Sequence, residues 1–167
     1  MERCAAVDVH YPADGGARGA AVLTADATFA GAVEDLVATV DDVAPYEPGR
    51  FALRELPVLL AVLAGAGPLA LVVVDGYVDL DPTGRPGLGA HLHAALGVPV
   101  IGVAKTAFRA ATHAAPVLRG TATRPLLVTA AGMPRADAAR LVAAMAGPHR
   151  LPDALRRVDA LARGRTP

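Results

Sequence analysis

The order of apolar and polar residues along the chain predicts an α/β fold. Short runs rich in valine, leucine and alanine alternate with longer apolar or amphipathic stretches, and turn residues separate them. The pattern predicts strands over residues 5–11, 18–24, 28–33, 69–74, 98–103, 116–119 and 125–129, and helices over residues 51–64, 88–96, 137–146 and 153–162. The first three strands form an antiparallel meander. Together with parallel strands they predict a mixed five-stranded sheet flanked by helices.

Three features refine this prediction. Residues 34–44 are acidic and are predicted to be irregular. Pro57 is compatible with the first long helix only if it lies near the first turn. The uncharged stretch 56–74 is long enough to span a membrane, but glycines and a proline interrupt it. A buried helix, a turn and a buried strand are therefore predicted there instead.

Composition excludes several classes of protein. The chain has 167 residues, of which 53% are hydrophobic, and Cys4 is its single cysteine. This content excludes a disordered chain and a disulfide scaffold, and it predicts one domain over residues 1–167. The start of the chain lacks the basic segment of a signal peptide. We therefore expect a cytoplasmic, monomeric protein with no membrane contact.

Charge is distributed unevenly along the chain. Residues 1–104 carry 13 acidic and 5 basic side chains, whereas residues 105–167 carry 3 acidic and 11 basic ones. The basic part can attract a polyanion, or the two parts can neutralise each other in the fold. Lys105 is the only lysine among 16 basic residues, which makes it a candidate functional residue.

Three acidic residues lie in or beside apolar segments. Asp8 lies within the first predicted strand, Asp75 follows the strand over 69–74, and Glu55 lies near the start of an apolar helix. Asp8 and Asp75 are predicted to be neighbours where the strand order changes direction, which is where α/β sheets bind ligands. Buried carboxylates repel one another unless a cation joins them, and Mg²⁺ prefers such ligands. Each acid also has a structural interpretation, because Asp75 can cap a turn and Glu55 can stabilise a helix start.

Several blocks of the chain resemble the endonuclease V family. Residues 45–57, PYEPGRFALRELP, are similar to its PYxPGxLxxRExP block, and residues 71–76 resemble its DLVxVDG strand. Residues 87–106 are similar to its GxAxHLGxxLxxPTIGVAKS stretch. Weaker similarity extends to residues 6–9, 124–132 and 151–152. The ordered match covers most of the chain from about residue 5 to residue 163.

The resemblance implies an RNase H-like fold and an Mg²⁺-dependent endonuclease, with Mn²⁺ as a substitute metal. Such an enzyme hydrolyses a phosphodiester bond near deoxyinosine in DNA, or near inosine in RNA. Asp8, Glu55 and Asp75 match the metal-binding carboxylates of the family, and Lys105 matches its active-site lysine. The implied nucleic-acid contacts lie in three places. They are Pro45, Tyr46 and Pro48 in the wedge that separates the strands, Gly76 at the end of the block over residues 71–76, and Arg85 in the lesion-pocket loop.

Two departures from the family pattern leave alternatives open. Tyr77-Val78 stands where the family usually has His-Gly, and Gly132-Met133 stands where it has Gly-His near its last catalytic position. A thioether cannot transfer a proton as a histidine does. The chain is therefore an active endonuclease, a nucleic-acid-binding module without turnover, or another α/β enzyme whose acids are structural. His10 and His91 are either part of the site or packed histidines.

Overall fold

The computed structural model describes residues 1–31 and 33–167, and within them the central feature is a seven-stranded mixed β-sheet. In chain order the strands are β1 (Arg3–His10), β2 (Ala17–Thr24), β3 (Glu34–Val40), β4 (Leu69–Asp75), β5 (Val100–Ala104), β6 (Ala115–Val117) and β7 (Leu126–Ala131). They lie side by side in the order β3-β2-β1-β4-β5-β7-β6. β1, β4 and β5 run parallel, and the other neighbours pair antiparallel. The predicted combination of an antiparallel meander with parallel strands is confirmed.

Helices cover both faces of this sheet. In the described part of the chain they are α1 (Phe51–Leu63), α2 (Leu88–Leu96), α3 (Arg135–Ala144) and α4 (Asp153–Ala162). α1 and α2 pack on one face, and α3 and α4 pack on the other. Along β1, Cys4 and Ala6 contact the α3–α4 side, whereas Ala5 and Val7 contact the α1–α2 side. This burial on both faces explains why the central strands are almost continuously apolar.

The third strand lies later in the chain than predicted. The predicted strand over 28–33 is wrong for the residues that the structure describes there, and Ala32 lies outside them. The strand is instead β3, within the acidic segment predicted to be irregular, and it pairs with β2 along its length. As an edge strand it exposes Glu34 and Val37 to solvent, so acidic residues are compatible with it. The sheet has seven strands rather than five because β7 and β6 extend it beyond β5.

Pro57 lies inside α1 rather than in its first turn. The helix continues past it because Val58, Leu59 and Val62 are buried against the sheet side, while the Pro57 ring itself is exposed. The uncharged stretch 56–74 is therefore divided between α1 and β4, as predicted. None of the helices in the described residues combines the length and the apolar character that a membrane crossing requires.

Candidate active site

Two aspartates lie side by side at the carboxyl ends of the central parallel strands. The register of β1 and β4 aligns Val7 with Val74, so its next step brings Asp8 beside Asp75. Because side chains alternate along a strand, both aspartates lie on the α3–α4 side of the sheet. The backbone amide of Val9 donates a hydrogen bond of 2.9 Å to Asp8 Oδ1. The prediction that these two acids are neighbours is confirmed.

Glu55 approaches the two aspartates from α1. The residue is only 8% exposed, and the charges of both aspartates act on its carboxyl group. Beside it in α1, the guanidinium carbon of Arg54 lies 3.7 Å from the centre of the Tyr11 ring. Tyr11 directly follows β1, so this cation–π contact joins the helix that carries Glu55 to the strand that carries Asp8.

Burial and the charges of neighbouring carboxylates destabilise the charged forms of Asp8 and Glu55. Burial, and after it the charge of Asp75, raises the pKa of Asp8 to about 7. Burial, and after it the charges of Asp8 and Asp75, raises the pKa of Glu55 to about 8. Perturbed carboxyl groups of this kind cluster at functional sites. The three acids therefore form one electrostatic group.

Lys105 brings a positive charge to this group. It follows β5, and its Nζ lies 2.7 Å from Asp75 Oδ2. Burial lowers the pKa of Lys105, but the hydrogen bond and the charge of Asp75 outweigh burial and raise the pKa above its usual value. The lysine singled out from the sequence thus lies beside the candidate acids.

The donor set fits a divalent cation in its chemistry, but the side chains do not surround one point. Within residues 1–31 and 33–167, no group of three Asp, Glu, His or Cys side chains is placed to hold a metal ion. Glu55 comes from a helix on the opposite face from Asp8 and Asp75, and Lys105 occupies one oxygen of Asp75. The predicted convergence of the three acids on one cation is therefore not formed in this arrangement. The excess of carboxylates and the raised pKa values of Asp8 and Glu55 still match sites that a hard cation neutralises.

The sequence analysis did not identify Asp159, which belongs to the same electrostatic group. α4 packs against β1, and the charge of Asp159 raises the pKa of both Asp8 and Lys105. Arg163, one helical turn later, donates a 3.0 Å hydrogen bond from Nε to Asp159 Oδ1. In the sequence, an aspartate four residues before an arginine is typical of a solvated helix face. Only the packing of α4 on β1 reveals this fourth acid.

A pocket of about 230 Å³ opens beside Asp75. Gly76, Tyr77, Gly87 and Leu88 line one part of it, and Gly49 from the segment before α1 lines another. The segment after β4 lies close to β5, since a Cβ on Gly102 would lie 2.6 Å from the Gly76 carbonyl oxygen. Walls of backbone, aliphatic and aromatic groups suit a flat, uncharged ring.

The residues predicted to contact nucleic acid have separate placements. Tyr46 is 62% exposed, and its neighbours Pro45 and Pro48 are exposed as well, as a wedge requires. Gly76 lines the pocket beside Asp75. Arg85 is exposed, and its Nε lies 3.6 Å from Asp81 Oδ2. Among the described residues, Pro86 and Gly87 line the pocket and Arg85 does not.

The two departures from the family pattern have structural explanations. Tyr77 Oη donates to the Thr106 carbonyl oxygen at 2.8 Å and accepts from the Phe108 amide at 2.9 Å. It thereby holds the segment that follows Lys105. Met133 packs against the apolar cluster on the α3–α4 side. It follows β7, whose end at Ala131 aligns with Val100, at the opposite end of the sheet from Asp75. The prediction that Gly132-Met133 lies near the catalytic position is therefore wrong.

The two candidate histidines lie in different parts of the molecule. His91 is exposed on α2. His10 lines a polar pocket of about 460 Å³ together with Arg18 and Arg163.

Known proteins resemble this chain in sequence and in structure. A family model described as Endonuclease V matches residues 1–133. The endonuclease V of Streptomyces coelicolor is 35% identical over 96% of this chain and 78% of the relative. That of Azotobacter vinelandii is 34% identical over 95% of this chain and 80% of the relative.

Solved structures extend the similarity to the fold. The crystal structure of the Streptomyces avermitilis endonuclease V superposes with a TM-score of 0.79 at 32% identity, and the match covers 98% of this chain and 81% of that one. The Ciona intestinalis endonuclease V, solved with a 24-mer DNA containing an inosine followed by a ribo-adenosine, gives a TM-score of 0.82 at 19% identity. That match covers 98% of this chain and 84% of the other.

Proposed function

Because this chain belongs to the endonuclease V family and has its RNase H-like fold, we propose that it is an endonuclease that hydrolyses a phosphodiester bond near deoxyinosine in DNA. Inosine in RNA is the second substrate in this proposal. The observation that carries it is the group of acids and Lys105 at the carboxyl ends of β1, β4 and β5, beside an open pocket.

Asp8, Glu55 and Asp75 bind divalent cations in this proposal, with Mg²⁺ as the metal and Mn²⁺ as its substitute. The raised pKa values of Asp8 and Glu55 support this role, because a cation removes the repulsion that raises them. A bound divalent cation supplies an activated water and stabilises the leaving oxygen. Asp159 adds a fourth acid to the group from α4.

In this proposal the Lys105 side chain adopts two positions. With Asp75 as its partner it neutralises that carboxylate. Its side chain is partly exposed, so it can turn to a phosphate oxygen of the substrate when the strand is bound. There its ammonium group stabilises the negative charge that develops on the phosphate.

The pocket beside Asp75 receives the deaminated base. A base has to leave the helical stack before a protein can enclose it. The glycine backbone, aliphatic side chains and Tyr77 that line the pocket allow close approach of a flat ring. The exposed Tyr46, between two prolines, stacks in the gap that the base leaves.

A nicking assay tests the proposal. The full chain is incubated with single- and double-stranded oligonucleotides carrying one deoxyinosine, with Mg²⁺, Mn²⁺ or EDTA, and with the adenosine oligonucleotide as a matched control. We expect one product band that depends on inosine and on the metal, and we expect the Asp75→Asn variant to lack it. An inosine-containing RNA is the parallel substrate. Absence of cleavage with either metal, in DNA and in RNA, contradicts the proposal.

A binding module without turnover is the second candidate function. It is favoured by the ion pair of Lys105 with Asp75 and by the open arrangement of the acids. In that case the chain retains inosine-dependent binding in a fluorescence anisotropy assay and produces no nick with either metal.

A further inference from the structure

A second pocket lies on the β7 side of Lys105, opposite the side that faces Asp75. It has a volume of about 340 Å³. It is lined by the segment after β5, by the residues at the start of β7 and by Arg150, which lies shortly before α4. Lys105 belongs to both places, because its Nζ contacts Asp75 while its carbonyl oxygen accepts a 2.6 Å hydrogen bond from Arg150 Nη2. A ligand in this pocket is therefore adjacent to the candidate active site.

The lining of this pocket is cationic. It contains Lys105, Arg124 and Arg150, and no acidic side chain is among the described residues that line it. Neither Arg124 nor Arg150 forms an ion pair within the described part of the chain. By contrast, Arg157 and Arg163 have carboxylate partners. Arginines without a carboxylate partner retain their attraction for an external anion.

Arg150 is fixed in place before any ligand arrives. Its Nε donates to the Arg124 carbonyl oxygen at 3.0 Å, and its Nη2 donates to the Pro125 carbonyl oxygen at 3.0 Å. These bonds tie the start of β7 to the segment before α4. Preorganised cations bind an anion without losing side-chain freedom at that moment.

Arg119 fixes the same segment from below. It is only 6% exposed, and its guanidinium donates to the His149 carbonyl oxygen at 2.9 Å and to the Gly147 carbonyl oxygen at 3.0 Å. A further bond reaches the Met145 carbonyl oxygen. The buried Arg119 thus holds the segment that carries Arg150, while exposed Arg124 faces solvent.

We propose that this pocket binds a backbone phosphate of the cleaved strand, next to the phosphate at Lys105. The inference rests on the proposed function and adds to it a site that holds the strand. A strand that crosses the central acids is repelled by them, so cations without partners beside that point offset the repulsion. A phosphate between Arg124 and Arg150 carries no sequence information, and its contribution is the same for every base.

The test measures binding rather than cleavage. Anisotropy titrations over a salt series use a single-stranded inosine oligonucleotide and its adenosine counterpart, with the Asp8→Asn variant as the uncut background. Arg124→Ala is compared in this background with Arg156→Ala, which removes the same charge from an exposed residue that lines a different groove. Thermal melting of each variant checks its folding.

We expect Arg124→Ala to reduce the slope of log affinity against log salt by about 0.7, the value of one phosphate contact on a single strand. Both oligonucleotides weaken by the same factor, and Arg156→Ala leaves the slope unchanged. A series of oligonucleotides with one neutral methylphosphonate each then locates the phosphate. At the contacted position, the substitution weakens binding by the parent chain and leaves binding by Arg124→Ala unchanged.

Two results overturn the inference. One is an unchanged slope in Arg124→Ala, and the other is an equal loss in Arg156→Ala, which marks a general effect of charge. Failure of the proposed function gives a different result. If the chain does not nick the substrate but its salt slope still depends on Arg124, the phosphate site is supported and the nuclease activity is not.

Discussion

Acidic residues are held in opposite ways at the edge of the sheet and at its centre. At the edge, Asp35 of β3 accepts two hydrogen bonds from Arg157 of α4, at 2.8 and 2.5 Å. At the centre, Asp8 and Glu55 have no such arginine fork among the described residues, and their pKa values rise to about 7 and about 8. The edge pair supports the packing of α4 on the sheet. The central acids weaken the fold when they are charged, so a functional role explains them better than a structural one.

The largest expected effect is a loss of nicking activity when a central acid is changed, but not when an edge acid is changed. Asp8→Asn keeps the shape of the side chain and removes its charge. Under the proposed function the variant loses a metal ligand that contributes several kcal/mol, so we expect the rate of inosine-dependent nicking to fall on the order of a thousandfold. Single-turnover assays with saturating enzyme measure this rate.

Asp35→Asn is the matched control for that prediction. It breaks the ion pair with Arg157 at the sheet edge, so we expect a lower melting temperature and a nicking rate close to that of the parent chain. A comparable loss of nicking in both variants would mean that the central acids act only through folding.

This contrast also shows which parts of the site the sequence could predict. Asp8 and Asp75 are predictable because they end or interrupt apolar strands, where a carboxylate is unfavourable unless a partner or a cation compensates its burial. Asp159 is not, because an acid with an arginine one turn later occurs on any solvated helix, and only the packing of α4 on β1 brings it to Asp8. That the three acids do not surround one point in the described residues is not predictable either, because it depends on which face each element presents.

The fold was predictable to a similar extent. Continuous apolar runs identified the central strands, since both of their faces are buried. β3 was missed because an edge strand needs only one buried face, and its polar start at Glu34 and Asp35 hid the alternation. The position of Met133 was misjudged for a related reason, because the antiparallel direction of β7 carries it to the far end of the sheet.

The next largest effect concerns pH and metal. Metal binding requires ionised carboxylates, and Asp8 and Glu55 hold their protons up to a pH of about 7 and about 8. At limiting Mg²⁺ we therefore expect the nicking rate to rise with pH through this range, by up to about tenfold per pH unit for one ionisation. At saturating Mg²⁺ the midpoint moves to lower pH, because the cation competes with the protons. A pH profile of the nicking rate whose midpoint does not change with the Mg²⁺ concentration contradicts this linkage between metal binding and proton binding.

A smaller effect is expected in stability. The folded pKa values of Asp8 and Glu55 lie above their unfolded values, so the folded chain binds more protons than the unfolded chain between about pH 4 and pH 8. Stability therefore falls as pH rises through this window. Above it, Glu55→Gln removes the buried charge and is expected to raise the melting temperature by a few degrees, on the order expected for about 1 kcal/mol.

The same measurement at pH 5 is the internal control for Glu55→Gln. There Glu55 is protonated in the folded chain, so the variant and the parent should melt at similar temperatures. Asp35→Asn is expected to lower the melting temperature at both pH values, because Asp35 has a cationic partner at each. A Glu55→Gln variant that is less stable at high pH would show that its carboxylate is paired rather than isolated.

The smallest effect extends the comparison of paired and unpaired groups to two tyrosine hydroxyls. Tyr77 Oη makes two hydrogen bonds to the segment after Lys105, whereas the buried Tyr11 Oη has no partner among the described residues. Tyr77→Phe keeps the ring beside Phe108 but removes both hydrogen bonds and releases that segment. We therefore expect kcat to fall several-fold, because each lost hydrogen bond contributes about 1 kcal/mol, with KM nearly unchanged. Tyr11→Phe keeps the ring that faces Arg54 and removes a hydroxyl that has no hydrogen-bond partner in the described part of the chain, so both constants should stay at the parent values. Equal effects of the two variants would mean that Tyr77 does not position Lys105 and that the departure from the family pattern at this residue has no bearing on turnover.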